Sequence, residues 1–163
     1  TLFNFTVNNK CKIMVTETLN ALHLKVVVNE IERQEAIDLL KQQHLPVSDI
    51  DEDKVLYLLK ADERTIGTVG LEIFEDCALL RSVSVLKQEQ GKGFGKYINE
   101  EIEKYVKEAG INCLYLLTTT AKDFFNKQGY CVINRQDAPA SVQQTAEFTS
   151  LCPSSAVVMK KKI

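Results

Sequence analysis

Nothing in this 163-residue chain approaches the roughly 18 consecutive apolar residues of a membrane span. The start, TLFNFTVNNK, lacks a basic stretch followed by a long apolar one, so the expectation is that it is not a secretory signal. An excess of positive charge is missing too. The formal net charge is −2, which gives no electrostatic reason to expect nucleic acid or an anionic membrane as a partner. Five cysteines are present, Cys11, Cys77, Cys113, Cys131 and Cys152, but no C-x-x-C and no Cys/His cluster. That argues against a zinc site, and no metal ligands are expected. Widely spaced thiols in odd number suit a reducing compartment, so the expected location is cytoplasmic. Repeats and low-complexity segments are absent. Only seven glycines occur, which makes their placement informative.

With 45% hydrophobic and 26% charged residues, the composition is that of a globular protein with a real core. Residues 1–23 fit the later pattern poorly and are read as an appendage. TLFNFTVNN suits a strand there, and Glu17–Leu24 hints at a short helix. Residues 24–163 form the domain. LKVVV (24–28) is strand-like, and Asn29 can cap an amphipathic helix running to about Gln43. The acidic run Ser48–Asp53 reads as a loop. KVLYLLKA (54–61), IGTVGLEIF (66–74) and CALLRSVSV (77–85) form an antiparallel meander.

Phe94, Ile98, Ile102, Tyr105, Val106 and Ala109 recur at helical spacing, and Gly110 ends that run. CLYLLTTT (113–120) suits a buried central strand with a parallel neighbour. Thr120 and Asp123 resemble a capping pair opening the short helix AKDFFNKQ. YCVIN and the SAVVMKKK tail are strands, with loop between them. Strands and helices mix around one sheet, so the fold class is α/β or α+β with a mixed sheet. An exposed final strand would give a route to a homodimer.

Three glycines fall in QGKGFG, Gln90-Gly91-Lys92-Gly93-Phe94-Gly95, just before the long helix. A P-loop would need Gly at 90 and Ser or Thr at 97, where the chain has Gln90 and Tyr97. The dinucleotide fingerprint from Gly91 or Gly93 meets Lys96 or Ile98 at its third glycine. Both readings fail. Two remain open: a bare tight turn, or an anion site built from backbone N–H groups and the helix N-terminus, with Lys92 and Lys96 adding charge.

QGKGFG, preceded by VSV, resembles the Q/R-x-x-G-x-G/A acetyl-CoA motif of the GCN5-related N-acetyltransferase superfamily. Ala121–Tyr130 is similar to that superfamily's A-x-x-F-Y-x-K-x-G-F segment. More dispersed residues resemble the arsenic-resistance-associated acetyltransferase subfamily: GLE (70–72), LLRSVSV (79–85), LYLLTTTA (114–121), Thr145, Glu147-Phe148, Leu151-Cys152-Pro153 and Ser155-Ala156. The resemblance implies a single such domain with helices on both faces of a mostly antiparallel sheet. It implies acetyl-CoA as co-substrate and a small amine as acceptor, with amino-acid-like toxins and arsenicals among the candidates. It places the pyrophosphate on Gln90, Gly91, Lys92, Gly93, Phe94, Gly95 and Lys96. The pantetheine arm would lie along Val83, Ser84 and Val85, with the thioester between the strands at 77–85 and 113–120 and Phe125 beside it.

Direct transfer needs a neutral amine, so a general base is useful. Glu72 lies mid-strand among apolar neighbours and, in an odd-sum hairpin register, shares a face with Arg81. The pair reads either as a structural ion pair or as a catalytic site. In the second reading Glu72 is the base and Arg81 anchors an acidic group of the substrate. The superfamily's usual tyrosine acid is replaced by Phe125, which leaves Ser82, Ser84, Thr118, Thr119 or a water to protonate the departing sulfur. His44, Arg135, Thr145 and Glu147 could border the pocket or merely brace loops. Cys152 offers a thiol to a thiophilic arsenical. A non-catalytic acyl-CoA-binding module and a thiol-based arsenic-binding protein are the competing functions.

Overall fold

Asn29 starts the first helix as its sequence position suggests: its side-chain oxygen accepts from the Glu32 N–H at 2.9 Å. The computed structural model describes residues 22–52 and 54–163. Its elements are β1 (Leu22–Val26), α1 (Glu30–Gln42), β2 (Val55–Ala61), β3 (Arg64–Ile73) and β4 (Cys77–Val85). They continue as α2 (Phe94–Glu108), β5 (Cys113–Thr118), α3 (Lys122–Lys127), β6 (Cys131–Ile133), α4 (Ala140–Gln143) and β7 (Val157–Lys162). The expected order is therefore present, with a π-helical turn at Glu147–Leu151 inside the segment read as loop.

The seven strands form one sheet in the order β1-β2-β3-β4-β5-β7-β6. All neighbours are antiparallel except β4 and β5. The side-chain alternation of the strands divides the core. Leu59, Ala78, Leu80, Leu114 and Leu116 pack with Ile98, Ile102 and Val106 of α2 on one face. On the other face Leu56 and Leu58 pack with Ala36 of α1, while Leu79 and Tyr115 pack with Val142 of α4. Helices thus cover both faces, and the second face carries two separate apolar clusters with a gap between them.

Four expectations are corrected. Leu22–Leu24 belong to β1 and pair with Ala61, Lys60 and Leu59, so no helix reaches Leu24 and the sheet begins inside the presumed appendage. The rest of that appendage, with Cys11, lies outside the described residues. The cap of α3 is not the Thr120/Asp123 pair. Its N-cap is Ala121, and the Thr118 hydroxyl instead accepts from the Ala121 N–H at 2.9 Å. Finally, β7 lies between β5 and β6 rather than at an edge, which removes the strand-pairing route to a dimer through it.

Strand β4 is irregular at one point. Gly70 pairs with Arg81, but Thr68 pairs with Ser84. Two residues of β4, Ser82 and Val83, therefore stand opposite one residue of β3, Val69, as a β-bulge. Ser82 has φ +53°, left-handed backbone that a residue with a side chain rarely adopts. The Thr68 hydroxyl donates to the Ser82 carbonyl at 2.8 Å and holds the kink in place. Among the described residues no helix is long and apolar enough to cross a membrane.

Candidate active site

Strands β4 and β5 pair only over Cys77–Leu79 and Cys113–Tyr115. β4 then runs on to Val85 and β5 to Thr118 with no ladder between them. The gap is the mouth of a cleft of about 850 Å³. Along β4 its lining runs from Arg81 through Ser82, Val83, Ser84 and Val85 to the turn at 90–95; Leu116, Leu117 and Thr118 form the facing wall.

The glycine turn divides its work. Gly91 and Gly93 have φ +77° and +88°, and open space surrounds the position where a Cβ would stand on each. Gly93 is the N-cap of α2 and accepts from the Tyr97 N–H at 3.0 Å. The first-turn N–H groups of α2 have no partner within the helix, and they carry the positive end of its dipole. Gly95 serves a different need: a Cβ there would lie 3.1 Å from Cζ of Phe124. Gln90 braces the turn by donating to the Val85 carbonyl at 3.0 Å. The lysines contribute less charge than the sequence suggests. Lys92 lies 2.8 Å from Glu89, which also holds Arg64 at 3.2 Å, and Lys96 faces Glu100 at 3.6 Å. The hydrogen bond from Lys92, opposed by burial and helped by Arg64, holds the Glu89 carboxyl below its ordinary range. The cradle is thus backbone more than side chain, and its glycines leave room for a phosphate at the helix N-terminus.

Phe125 lines the cleft and also packs edge-on against Phe124 and Tyr130, with centroids 5.0 and 5.4 Å apart. Its ring belongs to the core cluster under α2 as much as to the cleft. Ser82, Ser84, Thr118 and Thr119 all line the cleft; Thr118 already serves α3 as described.

Glu72 and Arg81 do share a face, and they meet as an ion pair. The arrangement is larger than a pair. Asp49, from the loop between α1 and β2, takes both terminal nitrogens of Arg81, and Glu147 of the π turn lies 3.2 Å from Nη2. The Arg81 Nε donates to Ser82 Oγ at 3.5 Å. The Arg81 side chain is 0% exposed, and the three carboxylates are between 10% and 14% exposed. Burial works against its charge, but the hydrogen bonds it donates to Asp49, the charges of Glu147 and Asp49, and the hydrogen bond it donates to Glu72 outweigh it and raise its pKa. With every donor of the guanidinium facing a protein oxygen, no edge is left for a substrate carboxylate. The cluster fills the gap between the two apolar clusters on its face of the sheet. Of the three carboxylates, only that of Glu147 belongs to a residue lining the cleft.

The C-terminal segment is braced rather than loose. Arg135 donates to the Ala156 and Phe148 carbonyls at 3.1 and 3.0 Å and stacks over the Phe148 ring. Thr145 donates to the Val142 carbonyl and accepts from the Phe148 N–H. Neither side chain lines the cleft; His44, with φ +57°, does. Cys152 lines it too and donates its thiol hydrogen to Glu147 Oε2 at 3.1 Å. Burial, the Glu147 bond and the Glu147 charge push its pKa up to about 12. Thiol alkylation needs the thiolate. Iodoacetamide at pH 8 is therefore expected to modify exposed Cys131 well before Cys152, as read by peptide mass spectrometry. Equal rates would show that the Cys152–Glu147 bond does not hold in solution. Asp49 is the member that sequence reasoning missed: it sat in an acidic run, and acidic runs in loops are usually solvated.

The sequence profile described as the acetyltransferase (GNAT) family matches residues 18–130. An uncharacterised N-acetyltransferase of Chlorobaculum tepidum is 32% identical over 65 residues, 40% of this chain and 41% of its own length. A Bacillus subtilis protein provisionally named as an acetyltransferase is 29% identical over 122 residues, 67% of this chain and 83% of that protein. Among solved structures, N-acetylglutamate synthase from Neisseria gonorrhoeae, complexed with coenzyme A and N-acetyl-glutamate, superposes with a TM-score of 0.70 at 16% identity. That likeness covers 86% of this chain and 35% of the synthase. The Chlorobaculum and Neisseria proteins are thus matched over well under two thirds of their own lengths.

Proposed function

The chain belongs to the acetyltransferase (GNAT) family, and on that premise we propose that it moves the acetyl group of acetyl-CoA to the amine of a small molecule. The observation that carries this reading is the parting of β4 from β5 into a cleft that ends at the glycine turn. A pyrophosphate fits at Gly91–Gly95, where two glycines leave open space and α2 offers unpaired N–H groups. From there the pantetheine arm can follow β4 at Val83–Val85, on the side where no β5 ladder pairs with it, towards the bulge. The bulge sets one residue of β4 outside the regular ladder, and a β4 N–H near Val83–Val85 would meet the oxyanion that forms as nitrogen attacks the carbonyl carbon. A donor so placed is worth about 3 kcal/mol in related cases. When bound, acetyl-CoA supplies an activated acyl carbon and a sulfur leaving group.

The subfamily resemblance favours an amino-acid-like toxin or an arsenical as the acceptor, and the free thiols Cys77, Cys113, Cys131 and Cys152 favour a cytoplasmic setting. Glu72 as base and Arg81 as anchor for an acidic substrate group are the roles the sequence suggests. Their mutual ion pair supports a joint role but leaves neither free. Calorimetry with acetyl-CoA, followed by free-CoA release across a panel of diamines, amino acids and amino esters, tests the proposal. Saturable binding and amine-dependent release are expected. No binding overturns the donor, and binding without release from any amine points to an acyl-CoA-binding module.

A further inference from the structure

We infer that Glu147, not Glu72, takes the proton from the acceptor amine, with Arg81 as the positioning residue that holds it. The inference rests on the amine-acetylation reading and adds a residue to it. Glu147 is the one carboxylate of the cluster whose residue lines the cleft, and its neighbours there are Arg81, Leu151, Cys152 and Pro153. Arg81 adjoins Ser82 and Val83, the bulge at which the acyl carbon is expected. A group on Arg81 is therefore near the reacting atoms.

The carboxylate is also fixed at both oxygens. Oε1 lies 3.2 Å from Arg81 Nη2, and Oε2 accepts the Cys152 thiol hydrogen at 3.1 Å. Each oxygen keeps a lone-pair direction for a further donor, since an ionised carboxylate offers about four. Glu72 and Asp49 are spent on the far side, where they neutralise Arg81 and set its rotamer. They act through Arg81 and touch neither substrate nor acyl donor.

The step balances without another reactant. An ammonium group gives one proton to Glu147, which passes it to solvent. The nitrogen lone pair then forms the C–N bond, the C–S bond breaks with its electron pair on sulfur, and the second N–H proton ends on that sulfur. Ammonium and thioester become amide, thiol and one released proton.

The test compares Glu147→Gln and Glu72→Gln with two kinds of nucleophile. One is whichever alkylamine of the panel supports wild-type turnover; the other is hydroxylamine, which is already neutral at pH 7 and needs no base to shed a proton first. Glu147→Gln is expected to lose about 10²- to 10⁴-fold in kcat with the alkylamine. With hydroxylamine it should stay within about threefold of wild type, and its acetyl-CoA affinity should not change. Glu72→Gln is expected to lose less than about tenfold, because Asp49 and Glu147 still hold Arg81. Glu147→Asp, which keeps a shortened carboxylate, should recover part of the alkylamine rate and guards against a folding defect. Full alkylamine turnover in Glu147→Gln overturns the assignment, as does an equal loss with hydroxylamine. A wild-type protein that binds acetyl-CoA but acetylates no amine overturns the amine reading itself and this role with it.

Discussion

Arg81→Met is expected to lower the unfolding midpoint by roughly 6–20 °C and to abolish turnover. The reasoning is a matter of unpaired charge. The guanidinium is 0% exposed and faces Asp49, Glu72 and Glu147, all nearly buried. Removing one partner of a buried ion pair costs about 3–5 kcal/mol, chiefly through the charge left behind. Here three carboxylates lose their common counter-ion at once. For a chain of this length each kcal/mol is worth about 2–4 °C, which gives the range above. A triple variant with Asp49→Asn, Glu72→Gln and Glu147→Gln in the Arg81→Met background should recover much of that loss, because the remaining groups are neutral. Differential scanning calorimetry on both proteins decides the matter. An unchanged midpoint in Arg81→Met would mean that the cluster is hydrated and mobile rather than a fixed part of the fold.

Gly91→Val combined with Gly93→Val is expected to raise the Kd for acetyl-CoA by at least about 100-fold while the fold survives. Both glycines have positive φ, at +77° and +88°. A Cβ in left-handed backbone costs about 1–2 kcal/mol per residue, and a β-branched side chain more. The chain can relieve that strain only by swinging the peptide groups away, which disperses the N–H groups that would hold the anion. No packing is lost, since nothing lies within 4 Å of either added Cβ. Gly95→Val is the informative contrast. Its Cβ would press on Phe124, so it should disturb the α2–α3 contact and the melting curve as well as binding. Calorimetric titration and thermal melts on the two proteins separate these outcomes. A double variant that binds normally would remove the turn from the acyl donor site.

How much of the molecule is legible in its sequence depends on the distance over which each signal acts. Asn29, the α2 periodicity and the turn at 90–95 are legible because each is local. Glu72 and Arg81 can be put on one face because a hairpin register is set by a short connection. Asp49 cannot join them by the same reasoning: it is 32 residues from Arg81 and arrives on a loop without periodicity. Glu147 is visible as a residue of the C-terminal signature, but its meeting with Arg81 depends on a π turn that no pattern announces. The Thr120/Asp123 cap misleads because two residues spaced for a capping box are present, while Thr118 is already turned toward the Ala121 N–H. The placement of β7 comes from β6 completing the sheet, which chain order alone does not reveal.

The bulge at Ser82 has a consequence for how β4 tolerates change in length. Before it, Ala78 and Leu80 point toward α2; after it, Val83 and Val85 do. Even-numbered positions hand over to odd ones across a single residue, so the strand behaves as two segments joined out of phase. The first segment answers to the ion cluster and the second to the cleft, and the extra residue bends one away from the other. Deleting Ser82 would place Val83 directly after Arg81 and restore a regular alternation, in which Leu80, Val83 and Val85 all still face α2. A one-residue deletion would therefore keep the core side chains of the second segment on their face while removing the kink and the carbonyl that Thr68 holds.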